Sequence, residues 1–188
     1  MNQMQTLLSD STSEWSINLV TPLQNLFHHA SRNSIIPRVE AACRFHDTFM
    51  SCIGTCEETF AREAVLNGQE SWISICHAFR TDDEFINFIL PCWAEHGDQL
   101  SKKCHIHALM VQNSVVDLMQ NQLRDIQNNL ADLCRTITIY DKCYIWQTNE
   151  YCGEKGWRFL LKLNQRSSMA LIKLLTDSAL IDTLPPTL

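Results

Sequence analysis

Nine cysteines stand singly along this chain, at Cys43, Cys52, Cys56, Cys76, Cys92, Cys104, Cys134, Cys143 and Cys152, and no two of them form a CxxC pair. Chains that use thiols for zinc or redox chemistry group them at that short spacing. Scattered single cysteines instead suit disulfides made in an oxidising compartment. All nine are therefore disulfide candidates, and about three or four bonds are expected. Pairing stays open, at roughly a thousand arrangements. Because nine is odd, at least one cysteine is left over, available for an intermolecular disulfide.

With 188 residues, 45% of them hydrophobic, the chain can bury a sizeable core in one domain. The expected organisation is a loose N-terminal arm at 1–20, a single helical cysteine-rich domain at 21–180 and a flexible tail at 181–188. The net charge of −6 is scattered, and SKKCHIH at 101–107 is too small a basic patch for a nucleic-acid backbone, so no nucleic-acid partner is expected. No apolar run approaches the ~20 residues of a membrane helix, so the chain is not membrane-spanning. MNQMQTLLSDSTSEW carries neither the basic nor the apolar region of a secretory signal. The cysteine distribution nonetheless predicts an extracellular protein in mature or truncated form.

Apolar residues recur at helical spacing throughout. Thr21-Pro22 opens a short helix through TPLQNLFHHASR. Pro37 opens a longer one, whose face is Phe45, Phe49, Cys52, Cys56 and Phe60, with Gly54 inside it marking a close backbone approach and Asn67-Gly68 ending it. Ser71 begins a helix striped by Trp72, Ile75, Cys76 and Phe79. Thr81 and Glu84 then form a capping box ahead of Phe85, Phe88, Ile89 and Cys92, with Pro91 kinking or ending that helix and Gly97 terminating the segment.

Val116, Met119, Leu123, Ile126, Leu130, Leu133 and Ile137 alternate steps of three and four, the seam of one long bundle helix. A final helix follows Cys152-Gly153, bearing Trp157, Leu160, Leu161, Leu171, Ile172 and Leu175. YIWQT is the only strand-like patch. The fold class is all-α, a disulfide-stapled bundle of about five to six helices.

A step of nine residues turns an α-helix through about 900°, so cysteines nine apart on one helix face opposite sides. Cys134, Cys143 and Cys152 therefore cannot line one face. They are expected at the end of the long helix, in the connection and at the start of the last helix. Cys52, Cys56, Cys76 and Cys92 lie on apolar stripes that point them towards neighbouring helices.

Free cysteine also serves as a small buried hydrophobe, the plainer role for any one of them. Zinc at Cys104, His105 and His107 lacks the spacing of structural sites. Cys104-His105 and Cys76-His77 point about 100° apart on a helix, a poor nucleophile–base geometry. No cofactor and no enzyme activity are expected.

The elements SCIGTCEETF, the single cysteines at 76, 92 and 104, LCRTITIYDKCY, and CGEKGWRFLLKL before LPP resemble secreted cysteine-rich helical domains of nematodes. The chondroitin proteoglycan 4 type is the most similar. A second nematode family of secreted cysteine-rich domains shares the pattern of Cys152, Gly153, Trp157 and Phe159. The resemblance implies an extracellular, disulfide-bonded module, associated in some members with extracellular matrix. The chain has no Ser-Gly pair for chondroitin attachment and no Asn-x-Ser/Thr acceptor, so neither decoration carries over. The expected function is a secreted, non-enzymatic structural or interaction module with an unknown protein or matrix partner. The alternative is a carrier of a lipid or other apolar ligand between helices, suggested by the Phe, Trp and Met content.

Overall fold

The computed structural model describes residues 31–120 and 126–177, and they are helical apart from short connections. The all-α, disulfide-stapled class holds. The Thr21-Pro22 helix, Leu123, the 1–20 arm and the 181–188 tail lie outside the described residues. The helices are α1 (Arg32–Gly54), α2 (Phe60–Asn67), α3 (Glu70–Thr81), a π-helical turn (Phe85–Ile89), α4 (Leu90–Gln120) and a last segment, Ile126–Asp177. Gly153 divides that segment into α5 (126–152) and α6 (154–177). The chain forms two compact units whose boundary, between Asp98 and Gln99, falls inside α4.

In the first unit α1 starts five residues before Pro37, at a Ser31 cap whose backbone N–H donates to Ser34 Oγ (2.9 Å). Pro37 sits inside the helix and forgoes its bond to the Asn33 carbonyl, a loss tempered because Asn33 and Pro37 are both exposed. The helix ends at Gly54 instead of running to Asn67. Thr55 Oγ1 donates to the Cys52 carbonyl (2.7 Å), and Thr59 caps a separate α2 by accepting from Arg62 N–H (3.2 Å). Gly54 faces open space, so no backbone approaches it closely.

The buried face of α1 is Ile35, Val39, Ala42, Cys43 and His46, not the Phe45–Cys52–Cys56 stripe, which is largely exposed. Periodicity finds apolar faces but not which one a neighbour covers. Here the small Ala42 and Cys43 let α3 approach. Cys43 bonds Cys76, and Asp47 pairs with Arg80 one turn later; both links join residues 33 apart, so α1 and α3 run in the same direction. Trp72, Ile75, Cys76 and Ala78 are the α3 side of this core.

The cap after α3 falls one residue later than the Thr81–Glu84 box. Thr81 Oγ1 turns back to the His77 carbonyl (2.9 Å), and Asp82 Oδ1 accepts from Glu84 N–H (2.9 Å) and Phe85 N–H (3.2 Å). Pro91 does not stop the helix that follows. The Leu90 N–H reaches back to the Phe85 carbonyl, and this widened turn makes room for a ring that would clash in a regular helix. Phe85 and Trp93 meet edge to face at 6.3 Å in the core, while Phe88 is exposed. Gly97 is buried within α4 and does not terminate it, since tertiary burial outweighs its ~1 kcal/mol helix penalty.

In the second unit Cys104–Cys143, Lys103–Glu150 and Ser114–Thr136 pair rising positions on α4 with falling positions on α5, so the two helices are antiparallel. A single straight helix would hold Ser114 and Thr136 about 33 Å apart. The apolar seam is therefore split, with Val116 and Met119 in α4 and Leu130, Leu133 and Ile137 in α5. YIWQT is helical within α5, where Thr148 is fully buried and the Tyr140 and Tyr144 rings meet at a tilt, 4.7 Å between centres; packing overrides its strand propensity.

A second reversal occurs at Gly153. Asn164 Nδ2 donates to Asp141 Oδ1 at 2.9 Å across 23 residues, which would span about 34 Å of uninterrupted helix. The last helix does begin after Cys152-Gly153, as the sequence suggests. Gly153 has φ 64° and ψ −167°, a conformation essentially reserved for glycine. A Cβ there meets nothing within 4 Å, so Gly153→Ala isolates the backbone cost. We expect it to destabilise the protein by about 1–3 kcal/mol, read from the urea midpoint.

Candidate functional site

Sulfur is the chemistry-bearing element of this chain, and the fold sorts its nine cysteines into two kinds. Cys43–Cys76 joins α1 to α3 with Cα atoms 5.4 Å apart, and Cys104–Cys143 joins α4 to α5 at 5.9 Å. Cys92 and Cys152 are disulfide-bonded as well. Three cysteines, Cys52, Cys56 and Cys134, are free. That corrects their standing as bonded candidates. Cys52, in the last turn of α1, and Cys56, just past its end, are both exposed, because the chain leaves the helix at Gly54.

Cys134 and Cys143 both lie on α5, nine residues apart and on opposite faces, and Cys152 ends that helix. Their predicted placement over three elements is thus corrected, although they do not share one face. Eighteen residues return a helix almost to its starting angle, and Cys134 and Cys152 are both buried. Cys134 has no partner sulfur there. Burial pushes its thiol up to about 11, against the opposing effect of a backbone hydrogen bond, so it is a small hydrophobe and not a nucleophile.

The same geometry bears on the rival chemistries. Cys76 and Cys104 are committed to disulfides, so neither can be the thiolate of a Cys-His pair or a zinc site. Among the described residues no group of three or more His, Cys, Asp and Glu is placed to hold a metal ion.

A polar clasp flanks Cys104–Cys143. The Lys103 ammonium lies 3.3 Å from Glu150 Oε2 and 4.8 Å from the centre of the Tyr151 ring, and its pKa is raised, first by the bond with the Tyr151 hydroxyl and then by Glu150. Both partners are on α5, so the clasp repeats the antiparallel register. Deeper in the unit, burial pushes the Tyr144 hydroxyl up to about 12, opposed by bonds with Ser101 and Tyr140. Burial also lifts Asp141 to about 7.

Asp141 escapes a sequence reading because DKCY looks like any polar helix surface; only the hairpin at Gly153 covers it. The Asn164 amide suits both of its states. It donates N–H to a carboxylate, or turns its carbonyl to a carboxylic acid.

On α4, Ile106, Leu109 and Met110 are 67%, 42% and 41% exposed, an apolar stripe at steps of three and one. No helix among the described residues is long and apolar enough to cross a membrane. The chain matches no protein family, no curated protein and no solved structure.

Proposed function

We propose that the chain is a secreted, non-enzymatic structural or interaction module, associated with extracellular matrix and of the kind its cysteine spacing resembles in nematodes. The observation that carries this is the oxidation of six cysteines, with Cys43–Cys76 and Cys104–Cys143 each tying one helix to another. A reducing cytosol would open such bonds, and a chain that depends on them belongs outside it. Stapled helices lose little conformational entropy on meeting a partner, which favours recognition by a preformed surface. The exposed Ile106, Leu109 and Met110 stripe on α4 supplies apolar area for contact.

The test is to recover the protein from its natural source by cell fractionation, alkylate it in denaturant without reductant, and weigh it. The expected result is an extracellular protein in which the six bonded cysteines escape alkylation and the free Cys134 takes it. Recovery from the cytosol with all nine alkylated would overturn the proposal. In reduced glutathione, alkylation without denaturant is expected to mark Cys52 and Cys56 and to spare the buried Cys134.

A further inference from the structure

With six cysteines in disulfides and Cys134 buried, Cys52 and Cys56 are the sulfur atoms open to solvent as thiols. Cys52 lies in the last turn of α1 and Cys56 just past its end, where the Cys56 thiol points at the Cys52 carbonyl (Sγ···O 3.8 Å). We propose that this pair is a thiol–disulfide exchange site, which reduces a low-molecular-weight disulfide by closing a Cys52–Cys56 bond.

The step balances within the pair and its substrate. One thiolate attacks a sulfur of RSSR, a mixed disulfide forms, and the leaving RS⁻ takes a proton as RSH. The second thiolate then attacks the mixed-disulfide sulfur of the first cysteine. The protein S–S bond forms and a second RSH departs. The protein gives up two electrons and two protons, and RSSR becomes two RSH.

Two features direct closure inward. Thiols four residues apart meet at an effective concentration that a separate molecule cannot match. The surface around them bears Glu57, Glu58 and Glu63, whereas Arg62 is held by Glu58 (3.6 Å) and by the Ile53 and Gly54 carbonyls (3.1 and 3.5 Å). Two copies meeting here about a twofold axis would oppose like charges, which disfavours a covalent dimer.

The end of the helix keeps the bond reversible, because a disulfide needs Cβ atoms about 3.8 Å apart and the Cys56 thiol is directed at the Cys52 carbonyl instead (Sγ···O 3.8 Å). Closure must loosen the last turn, in which the Cys52 carbonyl accepts from Thr55 N–H (3.0 Å) and the Ile53 carbonyl from Cys56 N–H (3.1 Å). Residues 54–60 are all exposed, so the turn can yield without disturbing the core. An exposed disulfide closed against its backbone is readily reduced, unlike the helix-to-helix bonds.

The experiment uses the full chain with its disulfides intact. The protein is equilibrated with oxidised or reduced glutathione, quenched in acid, alkylated and mapped by peptide mass spectrometry. In reduced glutathione both Cys52 and Cys56 should take label. Oxidised glutathione should abolish both labels together, leaving a Cys52–Cys56 bond without attached glutathione. Returning to reduced glutathione should restore both, with the six other bonded cysteines unchanged throughout. Cys56→Ser should trap glutathione on Cys52, and Cys52→Ser should trap it on Cys56; both positions are exposed and tolerate the change. Covalent dimers, persistent glutathione on the wild-type pair, unreacted thiols, or equal exchange at the six framework cysteines would each overturn the proposal. The outcome does not depend on any partner or compartment, so it stands apart from the function proposed above.

Discussion

Cys104→Ala combined with Cys143→Ala is expected to lower stability by about 4 kcal/mol, because the bond closes a 39-residue loop whose freedom returns to the unfolded chain. For a unit of this size that corresponds to roughly 15–30 °C in melting temperature. The loss is a large part of the ~5–15 kcal/mol that holds a domain folded. Alanine, rather than serine, avoids placing a hydroxyl in the fully buried Cys104 site. The control is Cys52→Ser with Cys56→Ser, which should move stability by less than about 0.5 kcal/mol because both side chains are exposed. Calorimetry of the two double variants separates framework sulfur from surface sulfur. Equal melting temperatures would mean that Cys104–Cys143 does not staple α4 to α5.

The second large effect is a pH response of opposite sign in the two units. Asp141 titrates at about 7 in the fold, raised by burial from 3.8. Between those values the folded state binds a proton that the unfolded state has lost. Its contribution is therefore complete below about pH 4 and disappears as pH climbs through about 7, a loss of at most ~4 kcal/mol.

His46 behaves the other way. Burial lowers its pKa from 6.5, Asp47 opposes that shift and Arg80 adds to it, so the folded state binds fewer protons than the unfolded. Its contribution is complete above about pH 6.5 and is lost on acidification. From pH 5 to 8, hydrogen-exchange protection, corrected for the base-catalysed rise of intrinsic exchange, should fall in α5 peptides and rise in α1 peptides. Asp141→Asn keeps a hydrogen-bonding partner for Asn164 and cannot ionise, so it should flatten the α5 response while leaving that of α1 intact. Parallel profiles in wild type and variant would show that Asp141 is not the group responsible.

Much of this architecture was legible before any coordinates. Helical spacing marks α3 through Trp72, Ile75 and Cys76, and Gly153 after Cys152 marks where the last helix begins, because only glycine fits that backbone. The scattered cysteines pointed to bonds between helices, and two such bonds link α1 to α3 and α4 to α5. The failures share a cause. A periodic stripe states that a face is apolar, but Phe45, Cys52 and Cys56 are left exposed because the covering helix lies against Cys43 instead. The seam from Val116 to Ile137 keeps its period across two antiparallel helices, since a heptad pattern records the buried side and not the direction of the chain.

Composition and spacing by themselves determined an all-α chain whose sulfur joins helix to helix, because turn geometry and apolar period are local properties written in consecutive residues. Which cysteines bond, which stay as thiols, and that Asp141 lies where its charge is disfavoured were decided only by the tertiary structure. Those outcomes depend on which faces meet across 20–40 residues of sequence, and a disulfide or a buried carboxyl responds to that meeting within a few ångströms.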